Sequence, residues 1–258
     1  MLKFLKWQLF VALVFAGATA FADEVQIQEA IRTEIEQLRE SGRLSLGDVE
    51  IASGDLLARV YERRDFEPAW YDVGKVDELV GLIEKAADDG LDPADYHQDP
   101  VSRGVAALWG AEAMSPAERA ELDLLLTDAL VRLAYHQRFG KINPYTLDPQ
   151  WNFRREFDAT DPVTAMQAAI DAPSLKGYME KVIPRGWFYI AMRDALARYR
   201  GIAAAGGWPV VPDGPTLRPG AADPRVAIIA TRLAATGDLP ETEASASRSS
   251  YDPEIEQA

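Results

Sequence analysis

The 258-residue sequence has no cysteine and two histidines, His97 and His136. Without cysteine there is no disulfide, no thiolate metal ligand, no thiol nucleophile and no site for lipoprotein acylation. Neither histidine has a neighbouring His at metal-ligand spacing, so both read as packed or helix-end residues rather than ligands. Sustained two-residue alternation of Val, Ile and Thr is missing, which excludes a large half-buried sheet. Basic charge is scarce: 27 Lys and Arg stand against 41 Asp and Glu, a formal net charge of −14. That balance argues against nucleic acid and anionic membrane surfaces as partners and reads by default as solubility.

One long apolar run is present, at the start. Lys3 and Lys6 precede Trp7–Ala22, and Ala20-Phe21-Ala22 stands before Asp23. This is the pattern of a cleavable export signal over 1–22; an uncleaved anchor is the alternative. Losing two lysines takes the remaining chain from −14 to −16. No later segment is apolar enough to span a bilayer, so cleavage leaves no membrane span.

The rest reads as helical. Val25, Ile27, Ile31, Ile35 and Leu38 form a stripe in an N-terminal amphipathic helix within 23–45, with Gly42 past its end. Leu56, Leu57, Val60 and Tyr61 mark a second helix, and Val76, Leu79, Val80 and Ile83 a third, closed by Gly90. The strongest begins at Ser115-Pro116 with Glu118 at the third position, a capping-box signature, and ends at Gly140. Leu122, Leu125, Leu126, Leu130 and Leu133 surround it, which predicts a central, buried helix. Further helices are expected after Asp161-Pro162 and through Phe188, Tyr189, Met192, Leu196 and Tyr199. Asp-Pro occurs six times, at 92, 99, 148, 161, 223 and 252, each placing a capping carboxylate before a residue preset for the first turn. The fold class is all-α: a compact body over 46–205, a linker at 206–220 where eight of fifteen residues are Gly or Pro, and an incomplete helical module over 221–258. That last segment is expected to build hardly any core of its own. Val226, Ile229 and Leu233 line one helix face there, before Gly237. A final helix is expected to be cut short after Asp252-Pro253, with Tyr251, Ile255 and Ala258 on one face and little to pack against.

No catalytic, cofactor-binding or metal-binding residue is assigned. "ADDGLDPADYHQD" lacks calcium-loop spacing, and "FGKINP" lacks a phosphate loop's glycines. Glu62, Asp65, Glu67 and Asp72 beside Trp70 and Tyr71 admit a carboxylate glycan hydrolase. Two aromatic groups, Phe66, Trp70 and Tyr71, then Tyr135, Phe139, Tyr145, Trp151 and Phe153, read as core packing, or as a groove for an extended polymer.

Taken in order, "LLARVYERRDFEPAWYD", "AADDGLDPADYH", "ELDLLLTDALVRLAYHQRFGKINP" with "LDPQWNF", "LARYRGIAAAGGWPVVPDGPTLRPG" and "DPRVAIIATRLAATGDL" resemble the N-terminal half of large periplasmic murein L,D-transpeptidases of the YcbB type. The resemblance runs from about Leu56 to the end of the chain. It implies a helical scaffold followed by the start of a peptidoglycan-binding domain, in a periplasmic protein whose partners are peptidoglycan and other cell-wall synthesis proteins. In that family a later domain carries a cysteine that makes 3–3 cross-links by acyl transfer. These 258 residues hold no cysteine, so no catalytic residue carries over, and the chain is expected to be inactive alone and cut inside the binding domain. Arg218, Arg225 and Arg232 fall in that partial module and read as surface arginines. The alternatives are a stand-alone, non-catalytic wall- or partner-binding protein and the carboxylate hydrolase.

Overall fold

The computed structural model describes residues 23–111, 113–147, 161–184, 186–244 and 248–258. The expected signal at 1–22, the Asp148-Pro149 pair, Trp151, Phe153 and the side chain of Tyr145 lie outside the described residues. Two compact units divide the chain, Met1–Arg185 and Gly186–Ala258. The described residues are overwhelmingly helical, as an all-α fold requires, and none of their helices is long and apolar enough to cross a membrane.

In the first unit, helix α1 covers residues 23–41 and buries Ile31, Ile35 and Leu38, while Val25 at the head of the stripe is exposed. Gly42 ends it at φ 72°, its N–H bonded to the Leu38 carbonyl at 2.8 Å. A two-residue hairpin follows, β1 (Ser45–Leu46) against β2 (Val49–Glu50). Next come α2 (Gly54–Arg63), α3 (Val73–Glu84), two 3-10 turns at Lys85–Asp89 and Pro93–Tyr96, and α4 (Gln98–Leu108). The 24-residue α5 (Pro116–Phe139) then runs through the middle, and α6 (Pro144–Leu147), α7 (Pro162–Asp171) and α8 (Leu175–Val182) complete the unit.

The cap at Ser115 forms as the sequence predicts. Its hydroxyl accepts from the Glu118 N–H, and the Glu118 carboxylate accepts from the Ser115 N–H. Those bonds hold the Glu118 carboxyl below its ordinary pKa. α5 is buried all round because α2, α3, α4 and α8 each pack against it. Gly104 lets α4 approach: a Cβ there would meet Leu122 Cδ1 at 2.6 Å.

Of the Asp-Pro pairs, Asp92, Asp161 and Asp252 accept the expected cap bonds, and Asp223 accepts from the N–H two residues on. Asp99-Pro100 does not start a helix. α4 begins one residue earlier, at Gln98, with His97 ahead of it, so the pair lies in the first turn.

The second unit contains α9 (Trp187–Ala204), α10 (Arg225–Thr236), a 3-10 turn at Glu241–Glu243 and α11 (Pro253–Gln257). Val226, Ala230, Leu239 and Ile255 form a small core, with Leu217, Ile229, Leu233 and Tyr251 around it. This corrects the expectation that the end of the chain has almost nothing to pack against: Ile255 is 4 % exposed. Backbone pairing explains how so short a helix is held. Gly220 donates to the Tyr251 carbonyl at 2.7 Å, Tyr251 to Ala221 at 2.9 Å, and Asp223 to Ser249 at 2.8 Å. These bonds fix the residues leading into α11, and the Asp252 cap does the rest.

Arg225 is not a surface arginine. Its guanidinium bonds Asp223 at 3.0 Å and the Pro215 carbonyl at 2.8 Å, with the side chain 14 % exposed. Gly214 makes room for it, since a Cβ there would meet the guanidinium at 2.5 Å. Arg232 lies over the Trp208 ring at 4.9 Å, and Arg218 is exposed.

Candidate functional site

α5 carries two polar clusters among its leucines. In the first, Asp123 is fully enclosed and accepts from the backbone N–H groups of Ala69 and Trp70 at 2.9 and 3.0 Å and from the Tyr61 hydroxyl at 2.6 Å. The Trp70 indole N–H donates to the Thr127 hydroxyl, which donates to the Asp123 carbonyl. Burial pushes the Asp123 carboxyl above its ordinary pKa; the three hydrogen bonds oppose the shift without cancelling it. Burial, with the Asp123 charge added, also keeps Tyr61 protonated.

In the second cluster, Asp128 accepts from the Ser53 N–H at 2.9 Å and the Ser53 hydroxyl on one oxygen. The other oxygen lies 2.6 Å from His97 Nε2. Burial raises this carboxyl too, but the bonds from His97 and Ser53 outweigh it and leave the pKa below the ordinary value. His97 holds φ 57°, a left-handed conformation that a non-glycine residue adopts at a cost of about 1–3 kcal/mol. Serine, histidine and aspartate are together here in the wrong order for an activated nucleophile. The carboxylate stands between the other two, so the serine hydroxyl is turned to the aspartate and not to the imidazole. What the arrangement does is tie the entrances of α2 and α4 to the middle of α5.

The acidic group considered for glycan hydrolysis is divided among separate tasks. Glu62 pairs with Arg39 at 2.8 Å, the Asp65 carboxylate lies 3.8 Å from Arg32, and Asp72 caps α3. Trp70 is core, and Tyr71 donates to Glu24. Among the described residues no group of three His, Asp or Glu side chains is placed to hold a metal ion.

Among the described residues, a half-open cleft of about 690 Å³ lies between the start of α2, the C-terminal half of α5, α7 and the end of α8. Its lining includes the apolar side chains of Leu56, Val131 and Met166. Tyr135 and Tyr178 also line it, as do the basic residues Arg132, His136, Arg138 and Lys181. His136 Nδ1 lies 3.0 Å from the Tyr96 hydroxyl, which sets the orientation of the ring. Tyr135 packs on Phe139 with centroids 5.1 Å apart, so part of the second aromatic group does assemble beside this cleft.

Asp123, Thr127 and Asp128 were visible in the sequence only as polar interruptions of a leucine-rich helix. A buried helix with two aspartates must supply donors from elsewhere, and that was the available signal. Nothing in the sequence joined α2, α5, α7 and α8 around one cleft.

A family model described as "Scaffold domain" matches residues 55–196, from the first turn of α2 into α9. No curated protein and no solved structure matches the chain.

Proposed function

The chain belongs to the Scaffold domain family, and on that footing we propose that it is the helical scaffold portion of an exported murein L,D-transpeptidase. Peptidoglycan is its partner, and the periplasm is its compartment. The family match carries this reading, and the collinear motifs between Leu56 and Leu239 give it its finer content. Acyl transfer through a thiolate is not a step these 258 residues perform, since they contain no cysteine. Their task is to present a rigid body, and the clamps at Asp123 and Asp128 suit it: each joins segments more than thirty residues apart to one central helix. The segment beyond Gly206, with its own small core, is the start of the wall-binding module.

The test is co-sedimentation of the exported protein with purified sacculi at low and moderate salt, alongside fractionation and N-terminal sequencing. The expected result is a periplasmic protein beginning at Asp23 that pellets with sacculi and leaves their muropeptide profile unchanged. Recovery in the supernatant at both salt concentrations overturns the wall-binding part. Release of muropeptides replaces it with the carboxylate hydrolase.

A further inference from the structure

The stretch between α9 and α10 repeats proline every third residue, at 209, 212 and 215. Each proline fixes its own φ and restricts the residue before it to extended backbone. Six of the eight residues from Trp208 to Pro215 are constrained in this way, and only Val210 and Asp213 are not. Among the described residues no helix or strand covers the stretch, and none of the backbone N–H groups from Trp208 to Thr216 donates to another backbone group. Three residues per turn with no internal hydrogen bonds is the pattern of a polyproline II helix, in which residues three apart share an edge.

Burial follows the same period. Trp208, Val211 and Leu217 are half-buried, and Gly214 between them is where a Cβ would meet the Arg225 guanidinium at 2.5 Å. That edge rests on the second unit. The Trp208 ring stands edge-on to Tyr199 with centroids 5.9 Å apart, Arg232 lies over it at 4.9 Å, and Leu217 packs on the small core. Arg225 adds its hydrogen bond to the Pro215 carbonyl at 2.8 Å. The next edge holds Pro209, Pro212, Pro215 and Arg218, of which Pro209 is half-buried and the other three are exposed. The third edge begins at Val210, which is 83 % exposed.

We propose that residues 208–218 are a docking segment for a partner protein whose groove is lined by aromatic side chains, with a carboxylate at the end that meets Arg218. Grooves of this kind seat prolines three residues apart between their rings. A segment already anchored at Trp208, Pro215 and Leu217 loses little conformational freedom on docking. The same prolines rule against strand addition to a partner's sheet. Strand neighbours alternate with a period of two, and prolines at both odd and even positions remove a donor from each edge. The inference goes beyond the wall-scaffold reading and does not depend on it: a protein that failed to pellet with sacculi would still present this ridge.

The test places a photo-cross-linking phenylalanine analogue at Val210 of the whole chain, expressed in its own cells, and maps the cross-linked site by mass spectrometry. The expected result is a protein joined at a groove rich in Trp and Tyr, which then binds the purified chain saturably in calorimetry. Pro212→Ala should weaken that binding by about tenfold or more, the loss of a residue at the centre of an interface. Arg218→Gln should weaken it by a smaller factor and flatten its dependence on salt. Both positions are exposed, so the melting temperature should stay in place in either variant. A synthetic peptide of residues 208–218 should compete, and the same peptide with its three central prolines replaced by alanine should not. No cross-linked protein, a cross-link on a surface without aromatic side chains, or wild-type affinity in Pro212→Ala overturns the proposal. Cross-linking to murein alone also overturns it, and assigns the segment to wall contact instead.

Discussion

Helix α5, with 24 residues, and helix α9, with 18, are used in opposite ways. Fourteen of the 24 residues of α5 are buried, including two aspartates and a threonine. None of the 18 residues of α9 is buried, although it carries Trp187, Phe188, Ile190 and Met192, each at least half exposed. The units that contain them differ in the same direction. Among the described residues the first unit has a continuous core of 34 buried apolar residues, and the second has one of four. Apolar content does not decide burial; the number of other helices that can close on a face does. α5 has four such neighbours, and its buried residues include Asp123 and Asp128.

The comparison breaks most visibly if the first unit is opened from inside. Asp128→Ala leaves His97 and Ser53 without the acceptor that holds them, in a buried site. Leaving a buried donor without its acceptor costs about 1–3 kcal/mol. Chemical denaturation should report a loss of that size, with amide exchange at Val226 and Ile255 unchanged. Coincident loss of protection in both units would show that they fold as one.

Next in size is the small core itself. Ile255→Ala should cost about 2 kcal/mol, the low end for a buried isoleucine, because so small a core can close over the gap. Exchange should rise across α10 and α11 and stay unchanged in α5. The acid limb of the stability curve then separates the two aspartates. The Asp128 pKa is below the ordinary 3.8, so its contribution is present above that value and is lost as pH falls through the lower one. The Asp123 pKa is raised, so ionising it costs stability as pH rises from 3.8 through its folded value, and acidification relieves that cost. In Asp128→Asn the fall in stability below pH 3.8 should flatten, and in Asp123→Asn the gain that acidification brings above pH 3.8 should disappear. Denaturation midpoints measured between pH 2 and 6 read both slopes. A smaller effect is expected at the start of α5: Ser115→Ala removes the cap and should cost about 1 kcal/mol, visible as fraying of the first turn.

How much of this was legible in the sequence depends on the range of the interaction. The cap at Ser115, the end of α1 at Gly42 and the all-round apolar surface of α5 are local, and each was read from residues within a few positions of one another. The meeting of Asp128 with His97 spans 31 residues and that of Asp123 with Tyr61 spans 62, with no pattern in either segment that names the other. The docking of Ile255 was missed for a related reason. Its helix is stable only because residues 249–251 pair with 220–223, and backbone pairing leaves no side-chain signature. The cleft is the extreme case, since four helices from separate stretches of chain build it.

The smallest expected effect tests the other half of the comparison. Ile190 on α9 is 50 % exposed, and Ile190→Ser removes apolar surface that the fold does not enclose. Substitutions at such positions change stability by less than about 0.5 kcal/mol, whereas Leu130→Ser at the middle of α5 buries a hydroxyl and empties a core site. Equal denaturation midpoints for Ile190→Ser and the parent chain keep the two helices apart as described. A loss above about 1 kcal/mol would mean that the apolar face of α9 is covered when the chain is free in solution. The contrast with α5 would then be one of degree, set by how much of each face is enclosed rather than by whether it is.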